Sequence, residues 1–337
     1  MRPHCGRHLF VQRDGKDLYV GDNVWNPIGV NIFGCNKNGT IWTPPDSSLT
    51  AIQAELGKKK MHLMRAWFFQ PMFVTNGQRD WTKFDNTLRA AQSHCVKVMV
   101  VLANEWAAYD GISVQRPLSW WEGGYTTQVD TGSLVPYRDW VSEVVTRYKD
   151  DPTIACWQLV NEGEARESDG TTCTYPASTN AIVAFADDIG ALIRNIDANH
   201  LISIGTIPGE CGSNEASYST LNGNQYNDIC VYHDYGYPES SMSNTDSYNG
   251  LQTTINRTNV LDKPLLIGEM GIHGQPGAYS LADRATYFEA KFADQTAAGI
   301  SGLLIWNWDP TPGDCGTACN YELGPDDPTW PILAAYI

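Results

Sequence analysis

Glu162 follows Asn161 at the end of one apolar run, and Glu269 precedes Met270-Gly271 at the end of another. Two carboxyls brought together can divide acid and base work. One stays protonated to donate to a leaving oxygen, and the other stays ionised to attack carbon or activate water. Arg65, Asn104, Asn161, His233 and Tyr235 also stand where apolar runs turn polar, as do Trp67 and Trp306. A guanidinium keeps a neighbouring carboxylate ionised, and indole faces offer stacking surfaces to the apolar faces of sugar rings. With 12 Trp in the chain, the set is suited to cleaving a glycosidic bond.

Other chemistries lack their residues. There is no GxGxxG or GxxxxGKS/T to cradle phosphate, and no GxSxG elbow for acyl transfer. No HExxH occurs, and the sequence shows no three clustered ligands, so neither a metal nor a cofactor is expected.

The elements that must carry these residues repeat. Eight apolar, β-branched runs start at Pro27, Met61, Val96, Thr153, Leu201, Asp228, Pro264 and Gly302, roughly one βα unit apart. Between them, amphipathic stretches predict helices over 49–60, 84–94, 135–148, 179–196 and 284–298. In the first of these, Lys58, Lys59 and Lys60 would favour the helix dipole. Continuous apolar strands alternating with helices imply a parallel sheet, and eight units favour closure into a (β/α)8 barrel, an α/β fold. The strand ends then become the site, because in such barrels chemistry gathers at the carboxyl ends. A short hairpin around Asp14-Gly15 is placed to plug the bottom. No linker or repeat divides the chain, so one catalytic domain over 1–337 is expected.

Composition narrows the partners. Of 337 residues, 42% are hydrophobic and 18% charged, enough for a large core, and the formal charge is −15. That balance argues against nucleic acid and anionic membrane, which need a basic footprint. It suits an uncharged substrate. No apolar run reaches the length of a membrane span. Nine cysteines leave at least one unpaired within the chain. Cys95, Cys156 and Cys230 lie in or beside apolar runs and read as buried thiols, while Cys5, Cys35, Cys173, Cys211, Cys315 and Cys319 lie in loops where disulfides fit. A secreted monomer is expected, with no signal-peptide segment at Met1–Cys5.

Taken together, Asn161-Glu162 on a fourth strand and Glu269-Met270-Gly271 on a seventh resemble glycoside hydrolase family 5 of clan A, over nearly the whole chain. The resemblance implies retaining hydrolysis on a (β/α)8 barrel, with Glu162 as acid/base and Glu269 as nucleophile. It also implies that Arg65, Asn161, His233, Tyr235 and Trp306 fill the family's Arg, Asn, His, Tyr and barrel-end Trp positions. Where the family usually has a His near the third strand's end, this chain has Leu102-Ala103-Asn104. Within the family, Arg65-Ala66-Trp67, Leu102–Trp106, Trp157–Glu162 and His233-Asp234-Tyr235 are similar to the endo-β-1,4-mannanases, which implies a mannan-type polysaccharide substrate.

Several residues keep two readings at this level. Glu105 is either a solvated surface carboxylate or a groove residue. Trp67, Trp106, Trp120 and Trp121 either line the groove or pack beneath loops. Trp306 and Trp308 point to opposite faces of a strand, and Trp306 is the one expected at the barrel mouth. Two other activities on the same barrel, β-glucan cleavage and exo-attack, turn on the loops 107–133 and 163–178. A non-catalytic carbohydrate-binding barrel would be expected to have lost a carboxylate, and this chain has both.

Overall fold

Eight parallel strands form the frame. In the computed structural model they are β1 Ile28–Asn31, β2 Leu63–Trp67, β3 Lys97–Val101, β4 Ile154–Gln158, β5 Leu201–Ser203, β6 Cys230–Asp234, β7 Leu265–Met270 and β8 Gly302–Ile305. The structure describes residues 8–37, 44–206, 211, 215–236, 241–242, 250–274, 279–312 and 321–337. Hydrogen-bonded order runs β5-β4-β3-β2-β1-β8-β7-β6. The remaining seam is bridged where the N–H groups of Asp228 and Ile229 both donate to the Ile202 carbonyl. Every residue of these strands is buried, which is why they read as unbroken apolar runs.

The helices are α1 Pro45–Glu55, α2 Thr82–Ser93, α3 Tyr137–Tyr148, α4 Ala177–Ile196, α5 Glu215–Asn222, α6 Leu251–Leu261, α7 Leu281–Ala297 and α8 Thr329–Tyr336. They cover the outside of the sheet. The amphipathic stripe of α4, for example, buries Ile182, Phe185, Ile189 and Ile193. The predicted end of α1 is corrected. Gly57 at φ +66° stops the helix before the three lysines, because a left-handed glycine is a common helix terminator. Those lysines therefore lie beyond the helix and not on its last turn.

The hairpin, Val11–Asp14 paired with Asp17–Val20, inserts Val11 and Leu18 into an apolar cluster. That cluster takes Leu63 from β2, Met99 from β3, Ala155 and Cys156 from β4, Leu201 from β5, Val231 from β6, Leu266 from β7 and Leu304 from β8. The amino-terminal end of the barrel is plugged as expected. Lys97, the first residue of β3, ties it down by donating to the Leu9 and Pro152 carbonyls at 2.6 and 2.5 Å.

The cysteine reading needs two corrections. Cys95 is disulfide-bonded; it occupies a turn before β3 at φ +60° and so is not part of the apolar strand beside it. Cys35 is a free, buried thiol, with burial pushing its pKa up to about 12. Cys156 and Cys230 are buried and free, and Cys173 pairs with Cys211. Cys5, Cys315 and Cys319 lie outside the described residues. No helix among the described residues is long and apolar enough to cross a membrane.

Candidate active site

At the carboxyl end of the barrel, a single arginine organises the polar residues. Arg65 on β2 is fully buried. Its Nε donates to Gln158 Oε1 at 2.8 Å, and its Nη2 donates to Asn161 Oδ1 at 2.6 Å. Nη1 donates both to Asn31 Oδ1 at 3.0 Å and to Glu269 Oε1 at 2.6 Å. Planar donors in a fixed fork meet four acceptors from the ends of three strands, β1, β4 and β7. Asn161 passes the order on, since its Nδ2 donates to Asn104 Oδ1 at 2.9 Å. Asn104 is fully buried, so it braces Asn161 from behind and does not itself face the cleft.

The two carboxylates stand in different surroundings. Glu269, near the end of β7, receives Arg65 on Oε1 and the Tyr235 hydroxyl on Oε2 at 2.6 Å. Gly271 makes room for that tyrosine, as a Cβ there would lie 2.3 Å from Tyr235 Cε1. Burial of the phenol, together with the adjacent Glu269 charge, pushes the Tyr235 pKa well up, so its hydroxyl stays a donor. Glu162 follows β4 with its backbone at φ +54°, a left-handed conformation that costs a non-glycine residue about 1 kcal/mol or more. Its N–H donates to the Gly205 carbonyl at 3.0 Å. Gly205 has no alternative there, because a Cβ would lie 1.8 Å from Val160 O. His233 Nδ1 lies 2.5 Å from Glu162 Oε1, and Trp106 Nε1 donates to Oε2 at 2.5 Å.

Glu162, His233 and Glu269 each present an atom within 4.8 Å of the others. Three clustered ligand types, which the sequence did not reveal, therefore exist in space. The Arg65 guanidinium at 2.6 Å from Glu269 and the donors on both oxygens of Glu162 already balance that negative charge. One oxygen of Glu162 and one of Glu269 thus lie within 4.8 Å, closer than the roughly 6.5–9.5 Å that separates the carboxyls of inverting pairs.

Their surroundings bias the two carboxyls in opposite directions. Burial pushes the Glu269 carboxyl up, and the opposing pull of His233, Arg65 and Tyr235 leaves it still above its ordinary value. Burial also raises Glu162, but His233 and the Trp106 hydrogen bond outweigh it and leave that carboxyl lowered. These two directions run opposite to the division of roles in which Glu162 is the acid and Glu269 the nucleophile.

Aromatic residues wall the cleft. Trp306 lies half-buried after β8, stacked on Phe33 at 4.9 Å, and Trp67 packs against Phe33 at 4.7 Å and against Tyr109 at 5.8 Å. The Trp306–Asn307 peptide is cis. Trp308 is buried against Trp330, so Trp306 is the one at the mouth. Trp120 and Trp121 pack under the loop around Phe185, whereas Trp106 is 40% exposed.

Of the residues expected from sequence, Glu162, Glu269, Arg65, Asn161, His233 and Tyr235 come together in one network, with Asn104 behind it and Trp67 and Trp306 on the wall. Glu105 does not join them. It is fully buried, where burial and nearby Glu164 raise its pKa well above normal against the pull of Arg116 and Arg166. The groove role expected of Glu105 is therefore corrected to an interior one, because its side chain points into the base of the loop. Sequence reasoning missed Gln158 as a partner of Arg65. A lone amide within a buried apolar strand was the available signal, since such groups must find partners. It also missed that Trp106 bonds Glu162, for which no pattern in the sequence gave warning.

A barrel with this carboxylate pair is a glycoside hydrolase. The model of Cellulase (glycosyl hydrolase family 5) matches residues 21–311, and the chain belongs to that family. It is 25% identical to mannan endo-1,4-beta-mannosidase 4 of Solanum lycopersicum, over 94% of this chain and 82% of that protein. It is also 25% identical to mannan endo-1,4-beta-mannosidase A of Hypocrea jecorina, over 90% of this chain and 70% of that one. The solved endo-1,4-beta-mannanase from Rhizomucor miehei shares the fold at a TM-score of 0.71 and 19% identity, covering 97% of this chain and 99% of that one.

Proposed function

We propose that the protein is a retaining endo-β-1,4-mannanase, working as one catalytic unit and as a monomer. The observation that supports the mechanism is the carboxylate pair with oxygens within 4.8 Å, closer than the roughly 6.5–9.5 Å of pairs that invert. The substrate reading rests on the names of the relatives, among which mannan endo-1,4-beta-mannosidases of plants and fungi recur.

In this reading Glu162 gives a proton to the glycosidic oxygen as the bond from the anomeric carbon breaks, and Glu269 attacks that carbon to form a covalent glycosyl–enzyme. Water, losing its proton to Glu162, then hydrolyses the ester and restores both carboxyls. Arg65 and Tyr235 stabilise Glu269 whenever it is ionised. In the same reading Trp306 supplies a stacking platform for the reacting sugar, and Asn161, beside the acid/base, contacts its 2-hydroxyl, a role carried over from the family resemblance. That hydroxyl is axial in mannose and equatorial in glucose, so buried polar groups around it can discriminate where stacking cannot.

Secretion is part of the proposal. The Cys173–Cys211 disulfide and the disulfide of Cys95 favour an oxidising compartment. The experiment is product analysis on unbranched mannan and a soluble cellulose derivative side by side, with NMR of the first-formed anomer. A mannan rate at least about a hundredfold higher is expected from hydrogen-bond discrimination, with internal cleavage and retention of configuration. Comparable rates would move the assignment to β-glucan. Release of monosaccharide alone would make the enzyme exo-acting, and an inverted anomer would remove Glu269 as nucleophile.

A further inference from the structure

Trp106 is the exposed member of the pair of donors that hold Glu162. The other donor, His233, is buried with its side chain 1% exposed, while the Glu162 side chain is 16% exposed. The His233 contact on Oε1 is therefore the interior one, and the Trp106 contact occupies Oε2 on the side open to solvent. With both oxygens accepting short hydrogen bonds, the free enzyme stabilises the ionised form of the residue that must act as an acid. A donor on that outward oxygen also blocks the position from which a proton must leave.

We propose that Trp106 is a positioning residue for Glu162: its indole N–H holds the outward carboxylate oxygen before substrate binds and yields that oxygen to the arriving leaving-group sugar. The proposal rests on Glu162 being the acid/base and adds what prepares it. When the indole withdraws, the carboxylate loses a donor and takes a proton from solvent. That proton passes to the glycosidic oxygen as the anomeric C–O bond breaks, the bonding pair staying on oxygen while Glu269 forms its bond to carbon. The exposed face of Trp106 gives the leaving sugar a surface to press against. Trp106 lies outside the strands, in a loop segment where its carbonyl accepts from the Ala108 N–H at 2.6 Å. Other groups facing Glu162 keep their places: His233 from β6, Arg65 from β2, Glu269 from β7 and the Tyr235 phenol. They set a constant field, so the variable donor is the indole.

Two variants separate the donor from the ring. Trp106→Phe keeps an aromatic face without N–H, and Trp106→Gln keeps N–H donors without the ring. The measurement is kcat/KM against pH on a β-1,4-manno-oligosaccharide and on a dinitrophenyl β-mannoside, whose leaving group needs no proton. For Trp106→Phe on the oligosaccharide, the basic limb should move to higher pH, because a carboxyl without its donor keeps its proton longer. The rate on that limb, relative to the optimum, should rise roughly tenfold or more, in line with loss of one hydrogen bond to a charged group. Trp106→Gln should keep the limb near its wild-type position while KM rises. On the dinitrophenyl substrate neither variant should move the glycosylation step. A Trp106→Phe profile superimposable on wild type, or lowered equally at every pH, would overturn the proposal. Glu162→Gln on the same two substrates tests the underlying role independently. Equal loss on both would remove Glu162 as acid/base, whatever Trp106 does.

Discussion

The two ends of the barrel use the same strands for opposite purposes. On β2, Leu63 belongs to the apolar cluster at the plugged end, and Arg65, two residues on and so on the same face, holds the polar network at the open end. On β4, Cys156 and Gln158 make the same change. One step of the pleat converts a dry core into a site in which every Arg65 nitrogen has a partner. The lower layer needs only shape and apolarity and tolerates substitutes of similar volume. The upper layer needs particular donors and acceptors, because a buried polar atom left unpaired costs about 1–3 kcal/mol. Stability and chemistry are therefore separable along the barrel axis, and substitutions should show it.

The largest expected effect lies at the open end. Glu269→Gln should lower turnover on every substrate by a factor of about 10⁴ or more, as loss of a nucleophile does, while the thermal midpoint stays within a few degrees of wild type. Glu162→Gln should cost about 10²–10⁴-fold on mannan and spare the glycosylation step on an activated aryl glycoside. Stopped-flow measurement of the released phenolate would show it.

Arg65→Met tests whether the separation is complete, since Arg65 belongs to both architecture and chemistry. It removes the Arg65 donor from Asn31, Gln158, Asn161 and Oε1 of Glu269 and should cost about 3–5 kcal/mol in denaturant unfolding. Its effect on pH has a definite sign. Glu269 must be ionised to attack, and burial already raises its pKa. Removing the cation disfavours the ionised form further, so the acidic limb of kcat/KM should move to higher pH.

The smallest effect on activity is expected at the plug. Leu18→Ala should cost about 2–5 kcal/mol of stability and leave kcat/KM of the remaining folded protein unchanged. A large loss of kcat in this variant would mean that the two ends are mechanically coupled.

The same division explains what could be read from sequence. The lower layer and the outer shell announce themselves, because buried strands must be apolar and helices must show a stripe. All eight strands and the hairpin plug were therefore visible, with α1 ending early only because Gly57 outweighed the lysines beyond it. The strand-end residues Glu162, Glu269, Arg65, Asn161, His233 and Tyr235 were visible because polar groups stand out where apolar runs stop. Contacts made by loops were not. The burial of Glu105 depends on how the segment after β3 folds back over Arg116, which is itself held by Asp110 and Asp130. The Trp106 bond to Glu162 depends on the same path, and neither has a periodicity to betray it. Cys95 and Cys35 were exchanged for a related reason: neighbouring residues describe a cysteine's strand or loop, but pairing depends on where a distant thiol arrives.

The hairpin plug also has a consequence for the order of assembly. It precedes every barrel strand, yet it docks on residues from strands as late as β8, and Ser301 Oγ donates to the Lys16 carbonyl across 285 residues. Contacts of such long range form slowly, because the intervening loop must be closed before they return any energy. During synthesis the hairpin leaves the ribosome before the barrel strands and waits for the last of them before Val11 and Leu18 find their seat. Until then both the underside of the growing sheet and its plug stay exposed to other chains, which makes this end the point at which crowded, unfinished molecules would adhere to one another.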